Sequence, residues 1–328
     1  MIQIGLMGVG SGAAAALLFA SITSGSYLSI ALFYLAPLPI MIAGLGWSHW
    51  SALIAAVAGS ALLVGLFDSF LSLGFLAAAG APGWLLTRLA MLPRSVPAGA
   101  DSALSDRSVE WFSPGALVIC ATLLGAMLVL LTFPFLGLDE PTFRSSLTRN
   151  LWRLFGSETG TPVLSGTKVP GVPNLSRTVA ILSFVLPPAT AVVASLLNLI
   201  NLWLAGQIVR FSSRLARPWP QLSTMTFPIW LTIVLAIAIG FTFAGGIVAI
   251  AAEVVSASLI IAYGVLGFAA MHEITRGLDS RPFVLGGVYA SVLIFGWPML
   301  LLFLLGVAES AFGVRARVAA KRTSSRKT

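Results

Sequence analysis

Few residues in this chain can bind or react, and most of those that can stand alone in apolar sequence. Glu253 lies in Ala251-Ala252-Glu253-Val254-Val255, with no other charged residue between 218 and 272. A carboxylate deep in a bilayer costs several kcal/mol unless it is paired, hydrated or protonated, so it is a candidate solute contact. The competing reading is that Gly245-Gly246 starts its helix two turns earlier and leaves it near water. Ser195, Asn198 and Asn201 recur at every third position. Amides so placed either line a polar cavity or hydrogen-bond a neighbouring helix. Asp68, in Gly65-Leu66-Phe67-Asp68-Ser69, is a hydrated interfacial acid or a contact for a cationic or polar solute. Glu253, Asn198, Asn201 and Asp68 therefore form the candidate substrate-binding set.

Two further groups invite a bland and a functional reading. Gly8, Gly12 and Ala16 form a small-residue stripe that lets another helix approach closely, from a partner subunit or from the same chain. His272-Glu273, followed by Arg276, Asp279 and Arg281, reads as a salt-bridged helix end at the membrane edge. Enzyme signatures are missing: there is no HExxH, no Walker A and no intramembrane aspartate pair in a GxGD context. Gly8-Val9-Gly10-Ser11-Gly12 superficially matches a nucleophile turn, but neither His49 nor His272 is placed to serve it as base. The lone Cys120 reads as a small buried hydrophobe. The expectation is no enzyme activity, no metal and no cofactor.

The elements that must position these residues follow from composition. Of the 328 residues, 58% are hydrophobic and 9% charged, which excludes a soluble globular enzyme, a disordered chain and a nucleic-acid-binding domain. The net charge of +8 is mostly a tail: Arg315, Arg317, Lys321, Arg322, Arg326 and Lys327 have no acid among them. That tail reads as a disordered cytoplasmic anchor over 315–328, beside anionic lipid rather than nucleic acid. Residues 1–67 contain no Asp, Glu, Lys or Arg. As one helix they would run about 100 Å, against a hydrocarbon core of roughly 30 Å, so they must fold back at least twice.

Turn chemistry then predicts spans near 4–22, 28–45, 50–67, 70–92, 114–136, 178–207, 227–244, 247–271 and 283–307, with a kink at Pro82-Gly83 and a break at Gly296-Trp297-Pro298 in the last. The fold class is an all-α integral membrane protein, a polytopic bundle of about nine transmembrane-type helices, with 1–314 as one membrane domain. The polar stretch 137–178 reads as a long external loop. It carries an amphipathic interfacial helix near 143–155, with Phe143, Leu147, Leu151, Leu154 and Phe155 on its apolar face. Topology contains a conflict. The linker 208–226 has three Arg and no acid, so the positive-inside rule puts both it and the tail in the cytoplasm. An even number of crossings must then separate them, yet three apolar segments lie between.

Phe33-Tyr34-Leu35-Ala36-Pro37-Leu38-Pro39 with Gly44-Leu45-Gly46-Trp47, the linker Arg217-Pro218-Trp219-Pro220, and Gly296-Trp297-Pro298 with Leu305-Gly306-Val307-Ala308-Glu309 and Arg315 form a familiar layout. It resembles the YybS-like family of bacterial multi-pass membrane proteins over nearly the full length, through order and spacing. That family is similar in its membrane core to the substrate-binding S subunits of energy-coupling factor transporters. The resemblance implies a bacterial inner-membrane protein that binds or moves a small solute. It also implies that Gly8, Gly12 and Ala16 dock a partner subunit. This chain departs in having about three more helices, so no vitamin site carries over. The alternative is a non-transporting scaffold for cell-envelope or cytoplasmic partners.

Overall fold

A computed structural model describes residues 2–67, 69–95, 109–155, 174–220 and 224–325. In chain order the helices are α1 (Ile2–Ala20), α2 (Tyr27–Tyr34), α3 (Pro37–Gly46), α4 (His49–Leu66), α5 (Ser69–Phe75) and α6 (Ala81–Ala90). Next come α7 (Pro114–Leu130), α8 (Phe133–Leu136), α9 (Glu140–Leu154), α10 (Leu175–Phe211) and α11 (Ile229–Phe241). The last are α12 (Gly246–Ile274), α13 (Arg281–Phe295), α14 (Pro298–Phe312) and α15 (Val314–Ser325). The all-α expectation has one small exception, an antiparallel pair of three-residue strands, β1 (Pro93–Ser95) and β2 (Val109–Trp111).

Local chemistry sets several boundaries. The side chains of Ser26, Ser48 and Asp139 accept backbone N–H groups at the starts of α2, α4 and α9. Proline opens α3, α6, α9, α13 and α14, where its missing N–H is not needed. The irregularity expected at Pro82-Gly83 is a π-helical turn at Leu76–Gly80, directly before the proline. The widened turn accommodates a ring that a regular helix interior would not.

Among the described residues, seven helical segments are long and apolar enough to cross a membrane: Ile2–Ser24, Tyr27–Gly46, His49–Leu66, Ser69–Ala90, Pro114–Leu136, Leu175–Phe211 and Gly246–Ile274. An eighth is admitted if Pro298–Phe312 and Val314–Ala320, bent by 73°, count as one. Large apolar side chains such as Leu6, Phe70, Phe243 and Leu293 face outward. Such surface is stable only in lipid or under a partner. The chain is a multi-pass membrane protein. The break expected at Gly296-Trp297-Pro298 divides the predicted span 283–307 into α13 and α14, with Gly296 at φ 70°. The tail expected to be disordered is helical as α15 through Ser325.

The single membrane domain expected over 1–314 is organised as two compact units, each assembled from separated segments. Unit 1 comprises Met1–Ala121, Leu196–Phe227 and Tyr263–Thr328. Its core forms where α1 lies on α4: Ala15, Ala16 and Phe19 pack with Ala52, Ala55, Leu63 and Phe75. Small residues permit that approach. A Cβ on Gly59 would stand 2.8 Å from Gly12 O, and one on Gly8 would stand 2.8 Å from Ile54 Cβ.

Contacts gather several chain ends at one end of unit 1. Ser51 Oγ donates to Ile4 O, Arg214 sits 4.7 Å over the Trp47 ring, and Arg217 donates to Ala90 O at the end of α6. That carbonyl is an orphan of the helix terminus, so a cation suits it. Burial pulls the Arg217 guanidinium pKa below its ordinary value. At the same end, Ser310 Oγ donates to Phe227 O and Arg315 Nη2 donates to Met225 O. The end of α14 and the start of α15 therefore lie beside the linker that precedes α11.

Unit 2 comprises Thr122–Ser195 and Pro228–Ala262. Phe143, Leu147, Leu151 and Trp152 of α9 pack with Val129, Phe133, Val179, Ile250 and Val254. The amphipathic helix exists, and its apolar face is covered by this chain's own helices. Leu154, expected on that face, is 76% exposed, and Trp152 takes its place.

Within α10, Pro187 and Pro188 interrupt the backbone ladder without ending the helix. Pro187 has no N–H to offer Ser183 O one turn back. Arg144 of α9 supplies the substitute donor, with Nη1 3.3 Å from Ser183 O and its guanidinium 3.9 Å over the Phe184 ring. Arg144 Nε also donates to Glu140 Oε1 at 2.7 Å, while Glu140 Oε2 accepts the first N–H of α12, from Gly246, at 3.0 Å. Arg144 beside it holds the Glu140 carboxyl below the usual range. The stabilisation is therefore present at neutral pH and lost as pH falls through that lowered value.

Candidate functional site

The structure disperses the predicted site residues and gives most of them structural partners. Asp68 lies outside the described residues. Asn198 and Asn201 are buried in unit 1. Asn198 Nδ2 donates to Ala121 O at 3.0 Å, and Asn201 Nδ2 donates to Tyr34 O and Leu197 O, each at 2.9 Å. Of the two readings, helix-to-helix hydrogen bonding describes these amides. Ser195 behaves alike in unit 2, donating to Ala191 O at 2.7 Å and Thr122 O at 3.1 Å. Gly8, Gly12 and Ala16 are buried against α4, so the stripe expected to dock a partner is already occupied within the chain.

Glu253 is half-buried in unit 2, eight residues into α12. At 29 residues α12 runs about 43 Å, which exceeds the roughly 30 Å hydrocarbon core. Its last turn carries His272 and Glu273, which belong in the polar region. Counting back about 20 residues from that end puts Glu253 within a turn of the opposite interface. That depth suits a hydrated acid.

The polar residues at the other end of α12 form a built cavity. It has a volume of about 560 Å³ in unit 1, bordered by Trp219, Phe268, His272, Arg276, Arg281 and Tyr289, with Glu273 alongside. The last turns of α12 supply Phe268 and His272, one turn apart on one side of the helix, and Glu273 one position further on. Arg281 opens α13, and Tyr289 lies two turns further along it. The Tyr289 ring stacks on Phe268 with centroids 5.2 Å apart, and its hydroxyl lies 3.4 Å from His272 Nε2. Trp219 comes from the linker and carries Arg210 5.2 Å over its ring.

Two polar atoms of this cavity's walls, His272 Nδ1 and Arg281 Nε, are buried and make no hydrogen bond. Buried donors without partners are rare in folded proteins because each costs the desolvation of the group. Arg276 is paired with Glu273 at 3.1 Å, the ion pair expected at this helix end. The sequence showed the cluster's composition but not the open pocket beside it, because Trp219 and Met225 come from a segment far along the chain.

Neither this cavity nor a smaller one of about 170 Å³ in unit 2, lined by Phe143, Leu147, Leu186 and Pro187, includes Glu253, Asn198 or Asn201. Among the described residues no three His, Cys, Asp or Glu side chains are grouped to hold a metal ion. No protein-family profile, no curated protein and no solved structure matches this chain.

Proposed function

We propose that this chain is a solute-binding, transport-related protein of a bacterial inner membrane, and that its ligand sits in the cavity at the end of α12. The observation that carries the reading is the pair of buried, unpartnered polar atoms, Arg281 Nε and His272 Nδ1, on the walls of one cavity. The volume of about 560 Å³ falls in the range of small-molecule sites. The resemblance of the sequence layout to the YybS-like family, itself similar in its membrane core to S subunits of energy-coupling factor transporters, favours the same class.

The test is a thermal-shift screen of the purified full chain against neutral, cationic and anionic small solutes. A true ligand raises the melting temperature of the wild type and of Glu253→Gln alike, and loses its effect in Tyr289→Leu and Trp219→Ala. No stabilising solute, or one that stabilises the cavity variants equally, would sink the assignment. A chain that binds nothing and fails in cells only on removal of α15 would be a scaffold.

The proposed topology has eight crossings and one re-entrant pair. Helices α11, α13 and α14, of 13, 15 and 15 residues, each reach only about 20–22 Å, so the contacts at their ends and not their lengths assign them. Tyr289 of α13 meets Phe268, and α14 returns to place Arg315 beside Met225. The pair enters and leaves on one side, so α11 and α12 are the two crossings between linker and tail. That even count removes the conflict with the positive-inside rule. Reporter fusions at residues 1, 160, 218 and 320 should place 160 alone outside the cytoplasm. A C-terminal reporter opposite residue 218 would reject the hairpin.

A further inference from the structure

We infer that the ligand of the α12 cavity carries an oxyanion, a carboxylate or phosphate, on an apolar body. This rests on that cavity being the binding site. Its described walls hold two guanidinium groups, Arg276 and Arg281, and one carboxylate, Glu273. Glu273 accepts from Arg276 Nη1 at 3.1 Å, which leaves the Arg281 charge uncompensated by any wall carboxylate. Arg281 is only partly exposed, and its Nε is wholly buried.

Helix ends do not change the sign. The cavity adjoins both the negative C-terminus of α12 and the positive N-terminus of α13, and these partial charges are of similar size. A neutral or cationic ligand would desolvate the Arg281 charge further without answering it, which is unfavourable. An oxyanion answers it with charge-assisted hydrogen bonds to the planar guanidinium. Tyr289 Oη and the neutral His272 ring share one hydrogen bond, which leaves one of the two able to donate to the same anion.

The remaining walls specify the rest of the ligand. Trp219, Val265, Phe268 and Ala269 are apolar, and the cavity is far larger than an inorganic ion needs. An oxyanion on an apolar body occurs in soluble acids and phosphate esters and in lipid headgroups. Both sources share the recognised chemistry.

The experiment uses purified full-length protein in phosphatidylcholine nanodiscs, with phenyl phosphate as the soluble probe and phosphatidic acid in the nanodisc as the lipid probe. Phenyl phosphate should bind, and Arg281→Gln should weaken it about ten- to a hundredfold, as expected for one hydrogen bond to a charged group. Arg281→Lys, which keeps the charge but loses the planar fork, should fall between and serves if the Gln variant does not fold. Displacement of phenyl phosphate by phosphatidic acid assigns the anion to lipid. Retention beside phosphatidic acid assigns it to a solute. Either outcome supports the oxyanion. Failure of both probes to bind, or equal binding by Arg281→Gln, overturns it. A neutral or cationic ligand that depends on Tyr289 and Trp219 would keep the cavity as the site and reject only the oxyanion.

Discussion

Glu309→Gln is expected to cost about 3–5 kcal/mol of folding stability, the loss found when one partner of a buried ion pair is removed. Glu309 and Arg315 side chains are each only 9% exposed, and they pair through Nε and Oε1 at 2.8 Å. The other carboxylate oxygen accepts the Arg315 backbone N–H at 2.9 Å. Arg315 Nη2 reaches on to Met225 O at 2.6 Å. One carboxylate thus holds the 73° bend between α14 and α15 and, through the guanidinium, the linker before α11. The turn itself depends on Gly313, whose φ of 60° favours glycine. Removing the charge from Glu309 strands a buried guanidinium. The double variant Glu309→Gln/Arg315→Gln should therefore lose less than the sum of its singles. The check is equilibrium unfolding in detergent over the full double-mutant cycle. Strict additivity would show that the two groups do not act as a pair.

Gly306→Ala should be the next most damaging change, although it adds one carbon. Helices α12 and α14 cross at Gly267 and Gly306. A Cβ at Gly306 would collide with Tyr263 O, and one at Gly267 with Leu302 O. Both obstacles are backbone, so no rotamer change relieves them, and the helices must separate. Overpacking of this kind costs about 1–3 kcal/mol, or more where nothing yields. In a bilayer no hydrophobic force opposes the separation, because lipid tails solvate the parted faces equally well. The separated helix would also withdraw Phe303 from Tyr263, which is fully buried and packs edge-on against Phe227 at 5.3 Å. Gly286→Ala is the control, since nothing lies within 4 Å of its Cβ position. It should be neutral or slightly stabilising through helix propensity. Equal melting temperatures for Gly306→Ala and Gly286→Ala would refute the close crossing.

The same physics explains why one small-residue stripe was legible and another was not. Gly8, Gly12 and Ala16 recur every four residues, so the sequence displays them as a surface made for a helix. It does not say whose helix, and α4 of this chain fills the place. Gly267 and Gly306 stand 39 positions apart and form no pattern until α12 and α14 cross. The site follows a similar course. Glu253 stood out because its neighbours in sequence are apolar, but its depth depends on how far a 29-residue helix overhangs the membrane. His272, Glu273, Arg276 and Arg281 had an ordinary helix-end composition. Their importance lies in a cavity whose far wall, Trp219 and Met225, only the tertiary fold brings near.

Sequence alone determined that this is a helical multi-pass membrane protein, because burying 58% hydrophobic residues with 9% charged ones requires lipid as solvent. It also located the first six apolar segments, the amphipathic α9 and the concentration of basic charge in linker and tail, since hydropathy and turn residues are local signals. The tertiary structure decided what depends on distant contacts. Arg315 on Met225 and Ser310 on Phe227 bring the chain back to the linker after α14. A run of apolar residues records the solvent it prefers. Whether that run crosses the bilayer or turns back within it is settled only by what its far end touches.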